Sequence, residues 1–358
     1  MKNTLAALLL AACSQIAFAQ SKGSKSTPCM DVLKLFTAAN VPAMAPEEEP
    51  ATQVEPGEEQ PANLPGKGLA QYPMLYIGEN NNRMSLINNG KVVWTYNTGK
   101  GPEYDDVWML SNGNILFSRM KYVALISPDK KVLWRYDCPP ATGMATTEVH
   151  TCQPIGLDRV MFVINGLPPK LMIVNIKTGK VEVEHELPNK MPPSANDIHA
   201  QFRRVRVTAQ GTYLVSYLNM DQVIEYDKDF KEIWKYSIPS PWASIRLKNG
   251  NTLINDEKDW LIREVDDKGE TKWEFNAKAD IPVEYKLLSA PQTCTRLANG
   301  NTIIASRGAK GKGPQLIEVT PDKKIVWVLH DWKNVGDATA VQILNDPGVP
   351  ETPGQSLH

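Results

Sequence analysis

Two stretches decide the fold: Arg296-Leu297-Ala298-Asn299-Gly300-Asn301-Thr302-Ile303, and then Glu318-Val319-Thr320-Pro321-Asp322-Lys323-Lys324-Ile325-Val326-Trp327. The first is an Asn-Gly turn between apolar, alternating runs. It is a strong hairpin signal, because both turn residues tolerate positive φ. The second is another strand, an Asp/Lys turn and a strand carrying Trp. The same order recurs at Arg246–Leu253 with Glu264–Trp273, and at Asn112–Leu116 with Ser127–Trp134. Weaker copies of the second half lie at Ile87–Trp94, Asn175–Val183 and Tyr226–Trp234.

Working outward, these strand ends are spaced by about 39 to 54 residues, which suits four short strands per unit, as in propeller blades. No segment holds a sustained 3.6-residue period, so the repeat region is all-β. Six units give a six-bladed β-propeller over residues 73–345, with seven blades as the alternative. The first unit lacks its own first strand. Thr339–Leu344 resembles the strands that precede the Asn-Gly turns, so it is expected to complete the first blade and close the ring. The recurrent Trp residues are expected to pack between blades.

The repeat resembles the quinoprotein-like (PQQ-like) β-propeller repeat. It is similar to repeats in bacterial arylsulfotransferases and in pyrroloquinoline-quinone dehydrogenases. That resemblance implies the fold more than an activity. Quinone dehydrogenases of this type have eight blades, and many have an adjacent Cys-Cys pair. Here there is length for six blades and no such pair, so no cofactor is expected and PQQ least of all. The sulfo-histidine of the arylsulfotransferases has no matching motif.

The flanks differ in character. Residues 1–19 read as a signal peptide, with Lys2, the apolar Leu5–Ala12 and an Ala17-Phe18-Ala19 cleavage site. Leu10-Ala11-Ala12-Cys13 offers a rival reading, a lipoprotein box with a lipid anchor on Cys13. Either places the protein outside the cytoplasm, periplasmic or secreted in a bacterial setting. Residues 20–72 are Pro- and Glu-rich and are expected to be a disordered, extended linker. Residues 346–358 form a C-terminal tail. The chain's 39 Lys+Arg against 40 Asp+Glu leave no basic face for nucleic acid. A monomer is expected.

In a propeller, ligands gather at one end of the channel, where the loops entering the inner strands meet those joining second and third strands. Aligning the repeats places Asp105, Asp106, Glu148, His150, Asp197, His199, Trp242, Gln292 and Asp337 on the first set of loops. The second set carries Glu79, Asn80, Arg119, Asn165, Tyr217, Asn219, Glu257 and Arg307, and Arg203 and Arg204 lie beside His199. Convergent acids, His, Arg and an aromatic suit a polar ligand, carbohydrate-like or anionic. His150 and His199 are the candidate acid–base residues, and Trp242 a candidate stacking platform. No His/Asp spacing has the strength of a metal motif, and no metal is expected. The preferred function is therefore a non-redox binding or scaffold propeller. The alternatives are a glycan lyase or hydrolase, with Arg119 or Arg307 stabilising charge, and a protein-assembly platform. Cys152 and Cys294 occupy equivalent positions three blades apart, too distant to bond; a Cys138–Cys152 pairing is open, and spacing alone does not fix the connectivity. Gly308–Gly313 reads as a mobile loop over the same face.

Overall fold

The computed structural model describes residues 27–37, 48, 62–99, 101–140, 146–190, 198–282, 285, 291–308 and 311–358. The signal peptide, Cys13 and Asp197 lie outside them. Among the described residues no helix is long and apolar enough to cross a membrane.

Six four-stranded antiparallel sheets form a six-bladed β-propeller. Blade I joins the two ends of the chain: Ala340–Ile343 pairs with Met74–Ile77, in register from Met74↔Ile343 to Ile77↔Ala340. Blades II to VI each run outward in sequence order, from inner strands Asp106–Met109, Glu148–Ile155, Phe202–Val207, Pro241–Arg246 and Pro291–Arg296. Each inner strand touches the next around the ring, and Ala340–Ile343 touches both its neighbours, which closes the circle.

The repeat residues explain why the blades form and stay together. Gly113, Gly250 and Gly300 all sit near φ +90°, where a side chain would be strained. The Asn side chain ahead of each accepts the main-chain N–H two residues on, at 2.9–3.0 Å. Asn251 and Asn301 donate to Glu264 and Glu318. The repeat Arg then reaches back one blade: Arg246 to Glu225 and Arg296 to Glu264. The Trp residues reach forward. Trp94, Trp234 and Trp273 donate their indole N–H to Pro128, Asp267 and Pro321 main-chain oxygens on the next blade's turn. The motif is thus a set of clasps between blades.

Trp327 departs from this pattern. Its N–H goes to Gly68 O at 3.0 Å, in a 3-10 turn ahead of blade I. Tyr72 meets its ring edge-on, and a Cβ on Gly66 would lie 2.5 Å from its Cδ1. Replacing Trp327 with Phe keeps an aromatic ring there but removes the indole donor, leaving Gly68 O with the Gln71 N–H alone. Losing one such hydrogen bond costs about 0.5–1.5 kcal/mol, so urea unfolding should show a lowered midpoint with an unchanged slope.

The expectation of a wholly disordered linker is corrected. Cys29 and Phe36 are buried, and Phe36 packs edge-on against Trp94. Glu48 is buried and pairs with Lys130 Nζ at 2.8 Å. A few apolar groups and one neutralised acid suffice to dock these short pieces on the ring. Cys29, Cys138, Cys152 and Cys294 are all free, so Cys138–Cys152 is not bonded. Burial pushes the thiols of Cys29, Cys138 and Cys294 up to about 12, which makes them poor nucleophiles.

Candidate functional site

Local irregularity builds the site. The inner strands of blades III to VI each carry a register shift near their start: between Val149 and Cys152, Phe202 and Val205, Pro241 and Ala243, and Pro291 and Cys294. A bulge re-aims side chains that strict alternation would send to opposite faces. The residues inside these shifts are His150, Thr151, Arg203, Arg204, Trp242, Gln292 and Thr293, and all but the two threonines are groups that the repeats had marked.

His150 is fully buried. Its Nδ1 lies 3.0 Å from Asp105 Oδ2 and 3.4 Å from Glu103 Oε1. Its Nε2 lies 3.1 Å from Glu148 Oε2. The same Glu148 oxygen is 2.7 Å from His199 Nδ1, and His199 Nε2 is 3.7 Å from Glu103 Oε1. The two rings are edge-on, with centroids 5.1 Å apart. Gln292 Nε2 donates to Glu79, which Arg307 also grips, with Nη2 at 2.9 Å. Arg203 and Arg307 lie over Trp242 at 4.9 and 5.5 Å.

The electrostatics follow from crowding. Burial and Arg203 act to discharge His150, but Asp105 and Glu103 outweigh them and raise it to about 10. Burial pushes Glu103 up, yet its hydrogen bond and charge interaction with His150 dominate and hold it at about 2. Glu148, flanked by two imidazoles, is likewise held well below the usual carboxylate range against its burial. Burial, then repulsion from Glu103, lifts Glu79 to about 7. Burial also raises Asp105.

Several sequence expectations move. Asp106 lies deeper in the channel, held by Arg204, Arg206, Thr151 and the Cys152 N–H. Arg119 is buried over Tyr104 and donates to Gly99 O, although it aligns with Arg307. Tyr217 is in the core, its hydroxyl paired with that of Tyr226. Asp337 braces the Asn80 loop. Trp242 is 3% exposed, so it offers no open stacking face. Of Gly308–Gly313, residues 309–310 lie outside the described residues; at its two ends the Gly313 N–H bonds Gly308 O, and Trp332 donates to Gly313 O. Asp105, Glu148, His150, His199, Arg203, Gln292 and Arg307 remain at the mouth. Glu103, which sequence reasoning missed, joins them from the loop ahead of blade II. Its signal was a third acid, two residues before Asp105-Asp106.

The opposite end is covered by residues 346–358. His358 packs against Trp108 with centroids 4.0 Å apart and the rings tilted by 45°. Its Nε2 bonds Val107 O, and Arg206 Nε donates to its main-chain oxygen.

No family model matches the chain, and no curated protein matches it. Among solved structures it is similar to a protein of unknown function from Bacteroides caccae, with TM-score 0.64 and 26% identity over 75% of this chain and 97% of that one. A streptogramin B lyase structure gives TM-score 0.52 and 14% identity, covering 80% and 91%. A catalytically inactive virginiamycin B lyase from Staphylococcus aureus, bound to quinupristin, gives 0.51 and 15%, covering 76% and 89%. The shared feature is the propeller. At such identities the lyases share the fold alone with this chain.

Proposed function

We propose that this is an exported, non-redox, quinoprotein-like propeller whose channel mouth binds a small polar, carbohydrate-like ligand. One observation carries this reading. Asp105 Oδ1, Gln292 Oε1 and Arg203 Nε are buried at the same mouth with no hydrogen-bond partner in the protein. Each such atom costs about 1–3 kcal/mol unless something satisfies it. Two are acceptors and one is a donor, and a hydroxyl can serve either. The carboxylates of Glu79, Glu103, Asp105 and Glu148 weigh against a multiply charged anion. His199 and Arg307, 38% and 37% exposed at the side chain, form the accessible rim.

A second reading, a glycan lyase or hydrolase, is favoured by His199. Its Nδ1 is held by Glu148, which leaves Nε2 for proton transfer at a solvent-reached position. A glycan array with product detection separates the two. Binding without turnover, with a ligand-dependent rise in melting temperature and at least tenfold weakening in His199→Ala, supports the first. Product formation that His199→Ala abolishes establishes the second. No binding to any glycan by the folded protein sinks both.

A further inference from the structure

We propose that the channel mouth holds one divalent transition-metal ion of the zinc class, bound by His150 Nδ1, His199 Nε2 and a Glu103 oxygen, with Asp105 beside it. The proposal goes beyond the carbohydrate reading; it shares Asp105 and His199 with that reading, but its test reads metal binding alone.

The direction of the hydrogen bonds leads to it. Glu148 Oε2 accepts from His150 Nε2 and from His199 Nδ1. With those nitrogens protonated, a neutral imidazole presents only a lone pair on its other nitrogen. Those remaining nitrogens, His150 Nδ1 and His199 Nε2, both face Glu103 Oε1, at 3.4 and 3.7 Å. With neutral rings acceptors face acceptors, so a positive species belongs between them. In the metal-free protein a proton on His150 Nδ1, shared with Asp105 Oδ2 at 3.0 Å, fills that role at the cost of burying an imidazolium. One metal ion replaces that proton and serves both rings.

The spacing fits the ion. Tetrahedral donors at about 2.1 Å from zinc lie about 3.4 Å from each other. All three atoms fall within 4.8 Å of one another, and Glu79, Glu103 and Asp105 form an overlapping group of the same size. Asp105 is 3% exposed, and its Oδ1 has no partner. Glu148 holds both rings by their far nitrogens, as carboxylates do behind metal-bound histidines. Two imidazole donors favour zinc, with cobalt as its spectroscopic stand-in, over calcium, magnesium or manganese. The half-exposed His199 leaves an approach from solvent. No sequence spacing announced the site, because its donors come from three separate parts of the chain: the loop ahead of blade II, the inner strand of blade III and the segment ahead of blade IV.

The test uses the full chain, stripped with chelator and titrated with Co²⁺, Zn²⁺ and Mg²⁺ by calorimetry and absorption. One Co²⁺ or Zn²⁺ per chain is expected, with a tetrahedral cobalt spectrum and little response to Mg²⁺. His199→Ala, at a partly exposed position, and Glu103→Gln should each lower affinity at least tenfold while circular dichroism stays native. Glu148→Gln, which touches only the ring backs, should lower it about 10–100-fold. The proposal is overturned by a folded wild-type protein that binds no stoichiometric metal. It is equally overturned by folded variants at Glu103 and His199 that bind as tightly as wild type, or by histidine NMR showing both rings doubly protonated in saturating Zn²⁺.

Discussion

Asp106→Asn should lower stability by about 3–5 kcal/mol, because it leaves two buried guanidinium groups without their counter-charge. Asp106 is fully buried. Arg206 grips it with two nitrogens at 2.8 and 3.1 Å, Arg204 meets its Oδ1, and the Cys152 N–H donates to its Oδ2. Burial alone would raise its pKa, but the two arginines outweigh it and hold it at about 2. The substitution preserves shape and removes only charge and acceptor strength, so packing is not the cause of the loss. A drop of roughly 10 °C in melting temperature follows for a domain of this size. Adding Arg206→Met to Asp106→Asn should restore part of it, since the pair is coupled. A change below about 1 kcal/mol in the single variant would show that water reaches the channel and screens these charges.

Acidification should release the tail that covers the other end of the channel. His358 is buried against Arg206 and Arg204; burial and then these charges lower its pKa to about 3, against the opposing pull of Asp106 and the Val107 carbonyl. Its ordinary value is about 6.5. Folding therefore favours the neutral ring. The docked tail is fully stable above pH 6.5 and loses up to about 1.4 kcal/mol per unit as pH falls from 6.5 towards 3. The ring itself has other support, so the tail lets go first. Trp108, packed against His358, is the reporter. Its fluorescence and the amide exchange of residues 356–358 should change between pH 6.5 and 4. His358→Gln should flatten that change, which separates His358 from the carboxylates titrating nearby. A flat wild-type profile, or one that the variant reproduces, would falsify the assignment.

The ring was legible because its turns repeat. Asn-Gly at three matching positions and Trp within five of the fourth strands mark local chemistry that the blades need separately. The mouth was legible in part, since alignment identifies where inner strands begin. It could not show the bulges that turn consecutive residues such as Arg203 and Arg204 inward, and these decide what lines the channel. Arg119 and Arg307 show the limit. Both follow Ser at equivalent repeat positions. One folds back on the carbonyl of Gly99, whereas the other meets Glu79 from the neighbouring blade. The difference lies in the loop opposite, which no repeat records. Glu103 was missed for the same reason. Phe36, at the end of Val32-Leu33-Lys34-Leu35-Phe36, and Leu69 gave no sign of which surfaces bury them.

The pairing of Met74–Ile77 with Ala340–Ile343 has a kinetic consequence. Nearly the whole ring lies between the two partners, so blade I is a long-range closure that is slow to find. Until it forms, Met74, Leu75, Tyr76 and Ile77, all buried in the finished ring, stand on an open edge that can recruit another chain. Closure should therefore be the last event in refolding, and it should compete with aggregation as protein concentration rises. A synthetic peptide of the Thr339–Leu344 strand, added during refolding, should occupy that edge and leave a ring unable to shut on its own strand.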